Sequence, residues 1–209
     1  AAEAPLDLAP VRPAGAGEGV ARLARGRGVS LVFHGCGFTG NGEAALKGRV
    51  ALELVGGLVR VLTASTDIGQ GTDTVFCQIV AEELEIPLAA VEVAPHDTGE
   101  VPDSGPTVAS RTTMVVGGVA QKAARRLKEA LAAEVGDSDL SFLQLLERRT
   151  SEVSLRVEEE YVDDGKLQWN PETYQGDAYP TYGWSCSVVD LSVDLDTGEV
   201  VYHRFVSAT

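Results

Sequence analysis

Apolar and polar positions alternate twice in quick succession, over Arg49-Val50-Ala51-Leu52-Glu53-Leu54 and again over Leu58-Val59-Arg60-Val61-Leu62-Thr63. A period of two sends alternate side chains to opposite faces of a strand. The Val55-Gly56-Gly57 link between the two runs predicts a hairpin. Upstream, Val29 to Phe33 reads as a short strand that ends in an irregular loop spaced by Gly35, Gly37, Gly40 and Gly42. The period then lengthens. Val75, Ile79, Val80 and Leu84 recur at helical spacing, and that helix stops before Pro87. Val91-Glu92-Val93 is a brief strand. Met114, Val115, Val119, Ala123, Leu127 and Ala130 form one face of a longer helix, with Lys122, Arg125, Arg126 and Glu129 outside. Asp137-Ser138-Asp139 is placed to cap a third helix holding Phe142, Leu145 and Leu146.

Beyond that helix the alternation returns, over Glu152 to Val157, Ser187 to Leu195, and Glu199 to Phe205 after an Asp196-Thr197-Gly198 turn. Glu158-Glu159-Glu160 reads as a solvated run and Asp163-Asp164-Gly165 as a turn. Cys186 and Trp184 fall in a strand-like run and are expected to pack in a core. The order mixes hairpins with one crossover. It predicts an α+β fold: a mixed sheet with hairpins and two to three packing helices. No period of 20–50 residues repeats, which excludes a solenoid. Residues 1–25, rich in Ala, Gly and Pro, are expected to be a linker or irregular opening segment. Residues 26–209 then form the domain, with a candidate sub-boundary near residues 136–150. The sequence closes on an alternating strand with no element to finish a layer, so it is expected to be part of a larger domain.

Composition changes this picture little. At 44% hydrophobic and 23% charged the chain is an ordinary globular one. The net charge of −14 argues against nucleic acid and anionic membrane as partners. No apolar run reaches the roughly 18–20 residues that span a bilayer. The three cysteines, Cys36, Cys77 and Cys186, are scattered and odd in number, which fits reduced thiols and a cytoplasmic location.

Two loops carry the candidate chemistry. The first is Thr66-Asp67-Ile68-Gly69-Gln70-Gly71-Thr72, the second Pro102-Asp103-Ser104-Gly105-Pro106-Thr107-Val108-Ala109-Ser110-Arg111-Thr112-Thr113. Each sits at the mouth of a helix, where free N–H groups favour an anion. One cap needs one hydroxyl, whereas Thr107, Ser110, Thr112 and Thr113 crowd the second loop beside Arg111; phosphate binding is the sharper reading and plain capping the blander one. The Gly69-Gln70-Gly71 loop matches neither the phosphate loop of nucleotide hydrolases, for want of a following Gly-Lys-Ser/Thr, nor the dinucleotide fingerprint, which needs a third glycine. His34 and Cys36 flank Gly35 too closely for a good chelate, His96 and His203 stand apart, and no metal-ligand spacing exists.

These residues resemble the molybdenum hydroxylases, the xanthine dehydrogenase and aldehyde oxidase enzymes. The likeness lies in Asp67-Ile68-Gly69-Gln70-Gly71-Thr72 ahead of a helix and in Val101-Pro102-Asp103-Ser104-Gly105-Pro106-Thr107-Val108-Ala109-Ser110-Arg111. It extends to Arg25-Gly26-Arg27-Gly28, Gly37-Phe38-Thr39-Gly40, Ala178-Tyr179-Pro180-Thr181-Tyr182-Gly183, Val189-Asp190-Leu191-Ser192-Val193-Asp194 and Asp196-Thr197-Gly198-Glu199. The resemblance implies a part of the large, molybdopterin-binding subunit. The metal's sulfur ligands then come from the pterin, so no protein metal ligand is expected. Gly69, Gln70 and Gly71 would lie against the pterin, and Thr107, Val108, Ala109, Ser110 and Arg111 would hold the pterin or its phosphate, the cofactor being molybdopterin or its cytosine dinucleotide form. The implied enzyme is an oxidoreductase that hydroxylates N-heterocycles such as xanthine, or aldehydes, with water as oxygen source. Its partners would be the rest of the molybdenum subunit and iron–sulfur and flavin domains or subunits. The family's catalytic glutamate and its Phe-Arg-Gly-type loop are not in this sequence, so no catalytic residue is named and the chain alone is expected to be inactive. The alternative is a non-catalytic module that binds or assembles the same cofactor.

Overall fold

The computed structural model describes residues 22–163 and 165–209. The opening segment expected over residues 1–25 lies outside this set up to residue 21, as does Asp164 of the expected turn. The last residues of that segment are already strand, because β1 runs Leu23–Gly35 and pairs with a later strand. The backbone ladder holds Arg25 to Gly28 extended although their side chains are polar or absent.

The described residues fall into two units. The larger, Gly35–Thr181, holds strands β2 (Arg49–Val55), β3 (Leu58–Leu62), β4 (Val91–Val93) and β5 (Leu155–Glu160) in the order β4-β3-β2-β5. β2 is antiparallel to β3 and β5, while β3 runs parallel to β4 through the intervening helix α1 (Thr72–Leu84). In this register Leu52 faces Val61 and Leu54 faces Val59, and these four side chains point to one face. There they meet Phe76, Val80 and Leu84 of α1, Val119, Ala123, Leu127 and Leu131 of α2 (Gly117–Val135), and Phe142 and Leu145 of α3 (Phe142–Arg148). Ala51, Leu62, Ala94 and Val101 form a smaller cluster apart from that core. The fold is α+β, as the periodicity predicts. Residues 136–150 belong to the larger unit, starting just past the end of α2 and including α3.

One local expectation changes, and two details are added. The cap of α3 is Ser141 rather than the Asp137–Asp139 run. Its hydroxyl accepts from the Gln144 N–H at 3.3 Å, and the Gln144 side chain accepts from the Ser141 N–H at 2.9 Å, a reciprocal capping box. The glutamate run 158–160 is largely exposed, as expected, and forms the end of β5, with Glu158 meeting Arg49 at 3.3 Å. A short hairpin, β6 (Trp169–Asn170) with β7 (Gln175–Gly176), lies in a stretch with no alternation to reveal it. Its Trp169 ring lies so close to Gly40 that a methyl group there would overlap it.

The smaller unit comprises β1, β8 (Tyr182–Asp194) and β9 (Val200–Ala208) in the order β1-β8-β9. Arg27 pairs with Asp190 across β1 and β8, and this guanidinium holds the Asp190 carboxyl below its usual value. Trp184, expected in a core, is 67% exposed. Among its described residues the unit has no helix to cover its sheet. Phe33 instead stacks on Tyr182 and leans on Trp184, with centroids 4.3 and 4.1 Å apart. Cys186 is half-buried on β8, and all three cysteines are free thiols.

Candidate functional site

The first loop is built around one carboxylate. Asp67 accepts from the N–H groups of Gly69 at 2.8 Å and Asp73 at 3.1 Å, with Gly71 further off at 3.4 Å. It thus caps α1 from outside the helix, where the Gly71 N-cap position offers no side chain. The hydrogen bonds from Gly69 and then Asp73 hold the Asp67 carboxyl below the ordinary carboxylate range. Gly69 and Gly71 sit at φ +110° and +84°, which L side chains rarely adopt. No atom lies within 4 Å of where a Cβ would stand on either, so their outer face is open. The Gln70 amide turns inward: it accepts from the Ile68 N–H at 2.7 Å and donates to the Thr66 carbonyl at 2.8 Å and the Thr72 hydroxyl at 2.6 Å. His96, from the segment after β4, donates through Nδ1 to the Thr63 carbonyl at 2.8 Å and places Nε2 3.3 Å from the Asp73 carboxylate.

The second loop repeats the device and adds strain. Asp103 accepts from the Gly105 N–H at 2.9 Å. Ser104 is wholly buried, and its hydroxyl donates to the Arg49 carbonyl at 2.8 Å while accepting from the Ala64 N–H at 2.9 Å. With that single proton committed, the Thr63 hydroxyl at 2.9 Å donates to Ser104 and accepts from the Ser65 N–H. Farther on, Ala109 and Ser110 both hold the left-handed conformation, at φ +54° and +53°. Two consecutive non-glycine residues there cost about 1–2 kcal/mol each. A π-helical turn, Thr112–Val116, follows directly and leads into α2. Among the described residues no acceptor takes the N–H groups of Thr107, Val108, Ala109 or Ser110.

The two loops meet. The Thr66 N–H donates to the Thr107 hydroxyl at 2.9 Å. Ile68, Gln70 and Thr72 from one loop and Thr107 to Ser110 from the other, with Thr112 and Thr113, line a single groove of about 350 Å³. A larger hollow of about 640 Å³ lies elsewhere, between Glu83, Arg125 and Asp137, and is walled by charged surface side chains. The groove suits an anionic, hydrogen-bonding ligand: free N–H groups and hydroxyls on one wall, and Ile68, Gln70 and Thr72 beside the open Gly69 and Gly71 turn on the other. Arg111 does not line it. Its guanidinium, expected beside the ligand's phosphate, is 1% exposed and bound inside the domain to Glu43 and three backbone carbonyls. Glu43, Ser104 and Asp67 are the residues that the sequence reading passed over. The repeated Asp-x-Gly spacing was the available signal for Asp67, since an Asp side chain binding the N–H two residues on is a turn signature. Among the described residues no group of His, Cys, Asp and Glu is arranged to hold a metal ion, and no helix is long and apolar enough to cross a membrane.

Comparison with known proteins identifies the family. A profile described as molybdopterin cofactor-binding domain matches residues 8–209. The chain is 36% identical over 125 residues to the gamma subunit of the 6-hydroxypseudooxynicotine dehydrogenase complex of Paenarthrobacter nicotinovorans, covering 57% of this chain and 15% of that one. It is 29% identical over 168 residues to a putative xanthine dehydrogenase molybdenum-binding subunit of Escherichia coli, covering 72% and 22%. Among solved structures, the aldehyde oxidoreductase of Desulfovibrio desulfuricans shares the fold with a TM-score of 0.69 at 23% identity, over 91% of this chain and 20% of that one. The chain thus spans about a fifth of the length of such relatives.

Proposed function

The chain belongs to the molybdopterin cofactor-binding domain family, and from that premise we propose that its two-loop groove is the cradle of a molybdenum–pterin cofactor in a molybdenum hydroxylase. The observation that carries this reading is the convergence of the loops on one groove, whose lining includes the left-handed Ala109-Ser110 pair, with no acceptor on the N–H groups of Thr107 to Ser110 among the described residues. Gly69 and Gly71 let the flat pterin approach the backbone, while the Gln70 amide keeps their turn closed. Thr107, Val108, Ala109 and Ser110 take the phosphate, the cofactor being molybdopterin or its cytosine dinucleotide form. Arg111 serves from behind the loop.

When bound, the molybdenum–dithiolene group supplies a two-electron oxidation of a substrate carbon, an N-heterocycle or an aldehyde, with oxygen from water. This chain's residues bind and orient that group; the base that removes a substrate proton, and the iron–sulfur and flavin centres that receive electrons, belong to the rest of the subunit and its partners. Purification of the native assembly through a tag on the parent subunit, with its molybdenum content and mass, tests the proposal. Stoichiometric molybdenum together with co-purifying redox subunits is expected. A metal-free subunit without partners, from a host that makes the cofactor, would overturn it in favour of an assembly module.

A further inference from the structure

The deepest charged side chain in the larger unit is one that a ligand-binding reading would have put at the surface. Arg111 leaves the end of the second loop and folds back beneath it. Nε donates to the Glu43 carboxylate at 3.0 and 3.3 Å, Nη1 to the carbonyls of Ser104 at 2.8 Å and Pro106 at 3.2 Å, and Nη2 to the Lys47 carbonyl at 3.0 Å. The two side chains are 1% and 5% exposed. Ser104 and Pro106 stand where the loop begins and Arg111 where it ends, so one guanidinium bridges its base. The strained pair Ala109-Ser110 sits in between, and the Ala109 carbonyl accepts from the Gly37 N–H at 2.9 Å. The second oxygen of Glu43 accepts from the Phe38 N–H at 3.0 Å, so the same ion pair also fixes the glycine segment that touches the loop. Gly105 admits the arrangement: at φ +74°, a methyl group there would overlap the Lys47 carbonyl and crowd the guanidinium.

We infer that Arg111, held by Glu43, is a positioning residue: a buried strut that keeps the Thr107–Ser110 turn in its ligand-ready shape before any ligand arrives. The inference rests on the groove being a cofactor cradle. Left-handed Ala and Ser relax towards ordinary backbone unless their surroundings over-determine them; here the guanidinium's planar fork ties down the base of the loop on either side of the pair, and the Gly37 N–H holds the Ala109 carbonyl. Lysine cannot replace it, because an ammonium has no such fork to span acceptors on three segments.

The test uses the parent subunit in its native complex, purified from a cofactor-producing host. Arg111→Lys, Arg111→Met and the double variant Glu43→Gln/Arg111→Met are compared with a core control, Leu127→Ala. Three quantities are read: pterin content by fluorescence after oxidative release, the rate of cofactor loss on dialysis, and the thermal midpoint. Cofactor loss is expected to quicken roughly ten- to a hundredfold in all three Arg111 variants. The double variant, freed of the orphaned buried carboxylate, should regain part of the thermal midpoint lost in Arg111→Met while staying just as leaky. Should Arg111→Met fail to fold, Arg111→Lys keeps the charge and is read alone. Wild-type retention in Arg111→Lys, or retention that simply tracks the thermal midpoint across the series and Leu127→Ala, would overturn the inference and leave Arg111 a structural residue only. A wild-type complex lacking pterin would overturn the cradle reading, and this inference with it.

Discussion

Asp67 illustrates what a single side chain does in a loop of free N–H groups. Its carboxylate is solvated on one side and bound to the backbone on the other, first by Gly69 and then by Asp73. Those bonds favour the charged form and lower its pKa in the folded state. A depressed folded pKa stabilises the protein fully above the unfolded value, near about 4, and that contribution fades as pH falls through the folded value. Asp67→Asn keeps the shape and one acceptor but removes the charge. The gap in thermal midpoint between wild type and Asp67→Asn should therefore hold steady from neutral pH down to about pH 5 and close below about pH 4. A gap independent of pH down to pH 3 would mean the carboxylate does not cap α1. Asp67 was readable from its Asp-x-Gly spacing, whereas the burial of Arg111 was not. Nothing in the second loop signals that Glu43, 68 positions upstream, will take its guanidinium away from the surface.

Between elements, the bond from the Thr66 N–H to the Thr107 hydroxyl is the direct tie between the two walls of the groove. Thr107→Val is close to isosteric and cancels it. Thr66 is exposed, so water can satisfy the freed N–H and the stability cost should stay below about 1 kcal/mol in denaturant unfolding. Cofactor retention should fall all the same, because the walls are no longer held at a fixed separation. A stability loss above about 2 kcal/mol with normal retention would assign the bond to the fold rather than to the groove. The elements themselves divide by how local their determinants are. The β2–β3 hairpin, α1 and β4 were legible because period and punctuation lie within a few residues. The β6–β7 hairpin, by contrast, owes its place to contacts distant in sequence, Trp169 against Gly40 among them, which no local pattern encodes.

At the scale of the molecule, stability is expected to be uneven. In the larger unit the β2–β3 ladder lies under α1, α2 and α3, and Val50, Leu52, Leu54, Val59 and Val61 are wholly buried. In the smaller unit the β8–β9 ladder is longer, pairing Cys186 with Ala208 through to Val193 with Val200, yet Ser192 is its one buried residue among those described. Strand alternation made β8 and β9 visible in the sequence, but alternation says only that a strand has two faces, and here it wrongly suggested that Trp184 would be covered. Backbone hydrogen bonds resist exchange when opening them also exposes apolar surface; a ladder without that cover opens at little cost. Hydrogen exchange on the 209-residue chain should find the amides of residues 50–62 and of α2 slowest, approaching the global unfolding limit. Those of residues 186–194 and 200–208 should exchange faster by local opening. Equal protection in the two ladders would mean that the small sheet is stabilised by more than its own strand pairing, and would remove uncovered aromatic surface as the reason for its expected weakness.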